Sequence, residues 1–211
     1  MPDLMTDYFS LMGEARRPWL DVEALKGRFL ESTSLVHPDR FHGAAELERV
    51  EAGNRYTELN TAHQVLRDVR QRLLHLIELE TGARPRDIQR IPAGTMDLFV
   101  DVGQACRDAD GFLERRGAVT SPMLKVKLFQ EGMEWVERLK SMQARVRSRE
   151  SVLEVDLRAL NESWDAAGAV GSAGREARLP MDRLTDVYRG LSYVARWTEQ
   201  LQERLVRLAS V

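Results

Sequence analysis

A histidine and an aspartate two residues apart, His37 and Asp39, have the side-chain types needed for acid–base work. Imidazole titrates near neutrality, and a carboxylate can orient it. Catalysis would also need a nucleophile, a metal cluster or a phosphate-cradling loop, and the sequence sets none beside them. His42 follows His37 closely, but a metal would need further ligands that nothing nearby supplies. His63 and His75 are scattered along the chain. The single Cys106 can form neither an internal disulfide nor a multi-cysteine metal site. It lies beside an apolar stripe and reads as a small packed residue. The residues therefore point to no catalytic group, no metal and no cofactor. His37 and Asp39 are left with recognition, or with a helix end and a turn.

The elements that would hold this pair are helical. Apolar residues recur at helical spacing almost throughout, without convincing period-two alternation, so the chain is expected to be all-α. Asp7 suits the N-cap of a short first helix carrying Tyr8, Phe9 and Leu11, ended by Gly13. Asp21 suits the N-cap of a second, in which Val22, Leu25, Phe29, Ser32 and Val36 share one side. Pro38 stops it, because proline disfavours helical geometry in the preceding residue and brings no amide donor. Beyond Gly43 one long helix is expected to carry Leu47, Val50, Tyr56, Leu59, Leu66, Leu73 and Ile77, with Gly82 and Pro85 past its end. Two antiparallel helices joined at His37-Pro38-Asp39 follow.

Gly82, Pro85, Pro92 and Gly94 crowd the interval from Thr81 to Gly94, which sets a boundary. The expected division is 1–82, a connection at 83–94, and a second domain at 95–211. There Leu98, Val102, Ala105, Ala109 and Phe112 form one stripe. Further stripes run from Leu128 to Trp164 and from Leu184 to Leu208. Such stripes are the seams of an antiparallel three-helix bundle. Gly168, Gly171, Ser172 and Gly174 mark a flexible connection before the last helix, and Pro180 sits near its start.

Composition narrows the function. The 211 residues carry 31 basic and 33 acidic side chains, a net charge of -2, which gives no electrostatic case for nucleic acid or an anionic membrane. No apolar run approaches the roughly 20 residues that span a bilayer. Met1-Pro2-Asp3-Leu4 lacks a basic n-region and an apolar h-region, so the expected address is the cytoplasm.

Three stretches carry a resemblance: Asp7-Tyr8-Phe9, His37-Pro38-Asp39-Arg40-Phe41, and Leu59 through Asp68 with Asn60, Ala62 and Leu66. The first roughly eighty residues resemble a J-domain. The two-part layout is similar to that of the HscB-type co-chaperones of iron–sulfur cluster assembly, as are Trp164-Asp165-Ala166-Ala167 and the closing Glu199 to Leu205. The resemblance implies a protein with no chemistry of its own. Its His-Pro-Asp loop and second helix would dock on a DnaK- or HscA-type ATPase chaperone and favour ATP hydrolysis. Its second domain would present the cluster scaffold protein as client. His37, Pro38 and Asp39 match the trigger, and Lys26, Arg28 and Arg40 would add cations to the docking face. Asp39 can pair with an arginine across a partly desolvated interface, while proline limits the order imposed on binding.

The chain also departs from the pattern. Lys26 and Arg28 are interspersed with Glu23 and Glu31, so charge steering to the chaperone would be weak unless Arg40, Arg49 or Arg55 compensates. On the client side Leu98, Phe99 and Val102 would form the apolar patch, and Arg189 matches a family contact. Gly103 and Cys106 stand where the family has an acidic rim, and Gly190 where it has an aromatic residue. A different reading of the same residues is an adaptor bundle that serves another client or associates with itself, as a monomer or weak homodimer.

Overall fold

The computed structural model describes residues 5–85, 90–92 and 94–210; residues 86–89 and 93 of the expected connection lie outside the described residues. Eight α-helices and one 3-10 turn, with no strand among the described residues, follow in order. They are α1 (Tyr8–Leu11), α2 (Val22–Leu35), the turn Pro38–Phe41, α3 (Glu46–Arg67), α4 (Val69–Thr81), α5 (Met96–Ala118), α6 (Pro122–Ala166), α7 (Arg175–Arg178) and α8 (Met181–Ala209). The chain divides into two compact units. One comprises Met1–Arg86 with Asp156–Tyr188, the other Asp87–Val155 with Arg189–Val211. The division expected at 83–94 follows chain order, whereas compactness groups the end of α6, α7 and the start of α8 with the first unit.

In the first unit the caps form where the sequence expects them. Asp7 Oδ1 accepts the amides of Phe9 and Ser10, and Asp21 Oδ1 those of Glu23 and Ala24. Each satisfies donors that a helix start leaves open. Phe9, Leu25, Leu59, Ala62, Leu66, Leu73, Leu76 and Trp164 form the core. The segment before α2 is tied to α6 by Asn161, which accepts the Trp19 amide and donates to the Trp19 carbonyl, each at 2.9 Å. Arg158 lies over the Trp19 ring. Arg175 grips Glu80 through Nη2 at 2.8 Å and Nε at 3.3 Å, a pair nearly closed to water.

The long helix expected from Leu47 to Ile77 is two helices. Asp68 adopts extended geometry, φ -81° and ψ 118°, and its side chain caps α4 by accepting the Gln71 amide. The break leaves carbonyls without their helical donors. Arg72, 1% exposed, donates to one of them, Leu66 O, through Nη1 at 2.6 Å, and to Pro18 O through Nε at 3.0 Å. Burial pushes its guanidinium down to about 10, against a smaller upward pull from Asp68. Leu47 and Val50, expected in the buried stripe, are 68% and 51% exposed.

The second unit is a three-helix arrangement of α5, the first part of α6 and the second part of α8. Leu98, Val102, Ala109, Phe112, Leu139, Val146, Leu153, Val194 and Leu201 fill it. Arg116 on α5 donates to the carbonyls of Arg207, Leu208 and Ser210, closing the end of α8. Asp110 joins the same two helices by pairing with Arg204 at 2.6 Å and Arg207 at 3.0 Å. Gly190 explains its own size: a β-carbon there would lie 2.9 Å from Leu153 Cδ1, so α8 and α6 meet closely.

Candidate functional site

The His37-Pro38-Asp39 loop is built by its own residues. Val36 ends α2 with its amide on Thr33 O, and His37 then turns extended, φ -61° and ψ 131°. Pro38 opens the 3-10 turn, where a missing amide costs nothing. His37 serves as its cap: Nδ1 accepts the Asp39 amide at 3.3 Å, and His37 O accepts the Arg40 amide at 3.0 Å. With Nδ1 used as an acceptor, the neutral ring carries its hydrogen on Nε2. The ring stands edge-on to Tyr56 of α3, centroids 5.4 Å apart at 85°. Phe29 of α2 stacks on His63 of α3 at 4.2 Å, bracing the two helices that hold the loop. Burial, followed by repulsion from Arg67, holds the His63 imidazole below its ordinary range.

Asp39 is presented outward. Its side chain is 89% exposed, with the His37 ring 3.5 Å away. Arg40 Nη1 folds back onto Ser34 O at 3.0 Å, so this guanidinium locks the end of α2. Arg28 is likewise committed, donating to Gly13 O and pairing with Glu14 at 2.8 Å. Lys26 is exposed on α2. Arg49 and Arg55 pair with Glu46 and Glu58 along their own helix. Around the loop end of α2 and α3, Leu30, Leu35, Leu47 and Val50 stay at the surface. The sequence pattern missed this apolar border; its signal was the charged residues Glu46, Glu48, Arg49 and Glu51 flanking Leu47 and Val50. An exposed carboxylate on a braced turn, edged by apolar side chains, can dock. Among the described residues, no three His, Cys, Asp or Glu side chains converge as a metal would require.

The four residues expected to meet a client are placed differently from one another. Leu98 is 9% exposed and Val102 fully enclosed, both in the core of the second unit, while Phe99 is 41% exposed. One residue is about 100° of helix rotation, so the outward pair is Phe99 and Val100. Phe99 meets Tyr193 of α8 edge-on, and Arg189 is half-buried on α8. Cys106 is buried, and that burial pushes its thiol up despite nearby Arg204, which disfavours the reactive thiolate. No helix among the described residues is long and apolar enough to cross a membrane.

No protein-family model matches the chain. Over 74 residues it is 34% identical to the co-chaperone protein HscB of Proteus mirabilis (strain HI4320), covering 35% of this chain and 43% of that one. Over 77 residues it is 38% identical to an HscB homolog of Azoarcus sp. (strain BH72), covering 36% and 44%. The chain thus spans under half the length of these curated relatives. In fold it is similar to human co-chaperone HscB, with a TM-score of 0.61 over 96% of this chain and 83% of that one at 17% identity. It is also similar to HscB from Vibrio cholerae, with a TM-score of 0.51 over 94% and 96% at 20% identity. The resemblance to HscB-type co-chaperones holds in sequence over about a third of the chain and in all-helical fold over nearly all of it.

Proposed function

We propose that this chain is a J-type co-chaperone, without catalysis of its own, that stimulates ATP hydrolysis by a DnaK- or HscA-type chaperone. The observation that carries the reading is the outward Asp39 carboxylate on a turn braced by His37, Pro38 and Tyr56. Residues 1–82 are assigned to chaperone docking, through His37, Pro38 and Asp39 with Lys26 as an exposed cation of α2. Arg28 and Arg40 act mainly by holding the surrounding backbone. Residues 83–94 are the connection, and client binding falls to 95–211 on the α5 and α8 surface around Phe99 and Arg189. The iron–sulfur scaffold protein is the proposed client, and the cytoplasm the proposed address.

Single-turnover ATP hydrolysis by the chaperone partners of the source organism, with and without purified cluster scaffold, tests both halves. Stimulation that rises further with scaffold supports the whole reading. Stimulation indifferent to scaffold removes this client and keeps the docking role.

A second reading, an adaptor bundle that self-associates, draws on the start of α6. Met123, Leu124, Val126, Phe129 and Met133 there are each more than half exposed. Concentration-dependent dimerisation without any ATPase effect would favour it.

A further inference from the structure

We infer that the client segment recognised by the second unit is apolar and acidic, seated in a groove between α5 and α8 whose rim is made of arginines. The inference rests on the co-chaperone reading and concerns the chemistry of its client side.

The groove encloses about 310 Å³. Phe99 and Val100, 41% and 54% exposed, form its wall, and Tyr193 and Trp197, 8% and 3% exposed, its floor. The three rings run as a ladder, with centroids 6.1 Å apart from Phe99 to Tyr193 and 5.6 Å from Tyr193 to Trp197. Such a surface takes aliphatic side chains.

Charge sets the rest of the choice. The resemblance would place an acidic rim at Gly103 and Cys106. Cys106 is buried, and the space above Gly103 is occupied by an arginine: a β-carbon on Gly103 would lie 3.5 Å from Arg107 Nη1. Arg107 donates to Gln104, which in turn donates to Asp108, so its charge is not met by a direct ion pair. Arg196 lies over the Tyr193 ring at 5.7 Å. Among the described residues neither Arg107 nor Arg196 has a carboxylate within salt-bridge distance, and both line the groove. Two guanidiniums without a direct ion pair, beside an apolar floor, favour carboxylates among apolar residues and repel a basic segment. Nucleic acid fits less well. Tyr193 and Trp197 are too enclosed to offer ring faces for base stacking, and the net charge of -2 gives no phosphate-binding field.

Fluorescence anisotropy on the full chain at low salt tests this with a fluorescein-labelled octapeptide alternating leucine and glutamate. The comparison peptide has lysine in place of glutamate. The glutamate peptide should bind about tenfold tighter or more, and the order should reverse in the Arg107→Glu, Arg196→Glu double variant. Gly103→Glu, which sets a carboxylate against Arg107, should weaken the glutamate peptide without disturbing the helix, and serves if the double variant does not fold. Equal or opposite preference, or a preference that both variants leave unchanged, overturns the inference. So does a labelled single-stranded oligonucleotide that binds as tightly as the glutamate peptide. ATPase stimulation by the wild-type chain without peptide is read separately. Its absence would remove the co-chaperone reading while leaving the peptide preference standing, and a failed preference leaves stimulation intact.

Discussion

His37 Nδ1 accepts the backbone amide of Asp39 at 3.3 Å, so the imidazole spends its acceptor on folding the turn that turns the aspartate outward. The two residues divide the labour: one shapes the loop, the other presents charge. His37→Ala removes that cap and the edge contact with Tyr56. Because His37 is about half exposed, the cost to global stability should be no more than about 1 kcal/mol. Stimulation of the chaperone ATPase should nonetheless fall by about tenfold or more, because a partner must then order the loop. Thermal unfolding and single-turnover hydrolysis on the same variant check both parts.

Arg72 should matter to folding far more than a lysine-or-arginine count implies. Arg72→Ala leaves Leu66 O and Pro18 O without their donor and opens a void in the first unit. A loss of about 2–4 kcal/mol is expected by urea unfolding. A change below about 0.5 kcal/mol would show that water replaces the guanidinium without cost.

Acid should weaken the first unit through His75. His75 is buried, and its Nε2 accepts the Tyr8 amide at 3.2 Å. Burial is the largest cause of its depressed imidazole pKa; Asp7 and Glu78 pull it up without cancelling that, and Arg16 pulls it down. The unfolded chain therefore binds a proton that the folded chain resists. The His75 contribution is present above the ordinary value of 6.5 and is lost as pH falls below it. The urea midpoint should drop between pH 7.5 and 5, and His75→Gln should shrink that drop, His63 supplying part of the remainder. A flat profile in the wild type would contradict the assignment.

Gly190 has no room for the aromatic residue that the resemblance leads one to expect unless Leu153 shifts. Leu153 Cδ1 and Cδ2 lie 2.9 and 3.0 Å from the place of a β-carbon, so Gly190→Phe should force α8 and α6 apart locally. The expected cost is about 1–3 kcal/mol, read from the denaturation midpoint. Unchanged stability would mean that Leu153 moves aside freely.

What was legible in the sequence was local. Asp7 and Asp21 act through carboxylates that reach amides two and three residues on, Pro38 and Gly82 through their own backbone, and each ends or starts a helix where expected. Other features depend on partners distant along the chain. Asp68 breaks a helical pattern that runs unbroken through Leu66 and Leu73, and the break holds because Arg72 reaches Pro18, 54 residues away. Leu98 and Val102 share a helical stripe with Phe112, and a stripe cannot say whether it faces a bundle or a client. The neighbouring Phe99 and Val100 took the outward side. The enclosed pair of Glu80 and Arg175, 95 residues apart, likewise had no signal beyond two ordinary charged residues.

Asp39→Asn is the most direct test of the central claim, because it removes one charge from a side chain 89% exposed while leaving the backbone amide that His37 accepts. Single-turnover ATP hydrolysis by the cognate DnaK-type chaperone should be stimulated by the wild-type chain and not by the variant, with the two chains unfolding at the same temperature. Equal stimulation by both would contradict the account.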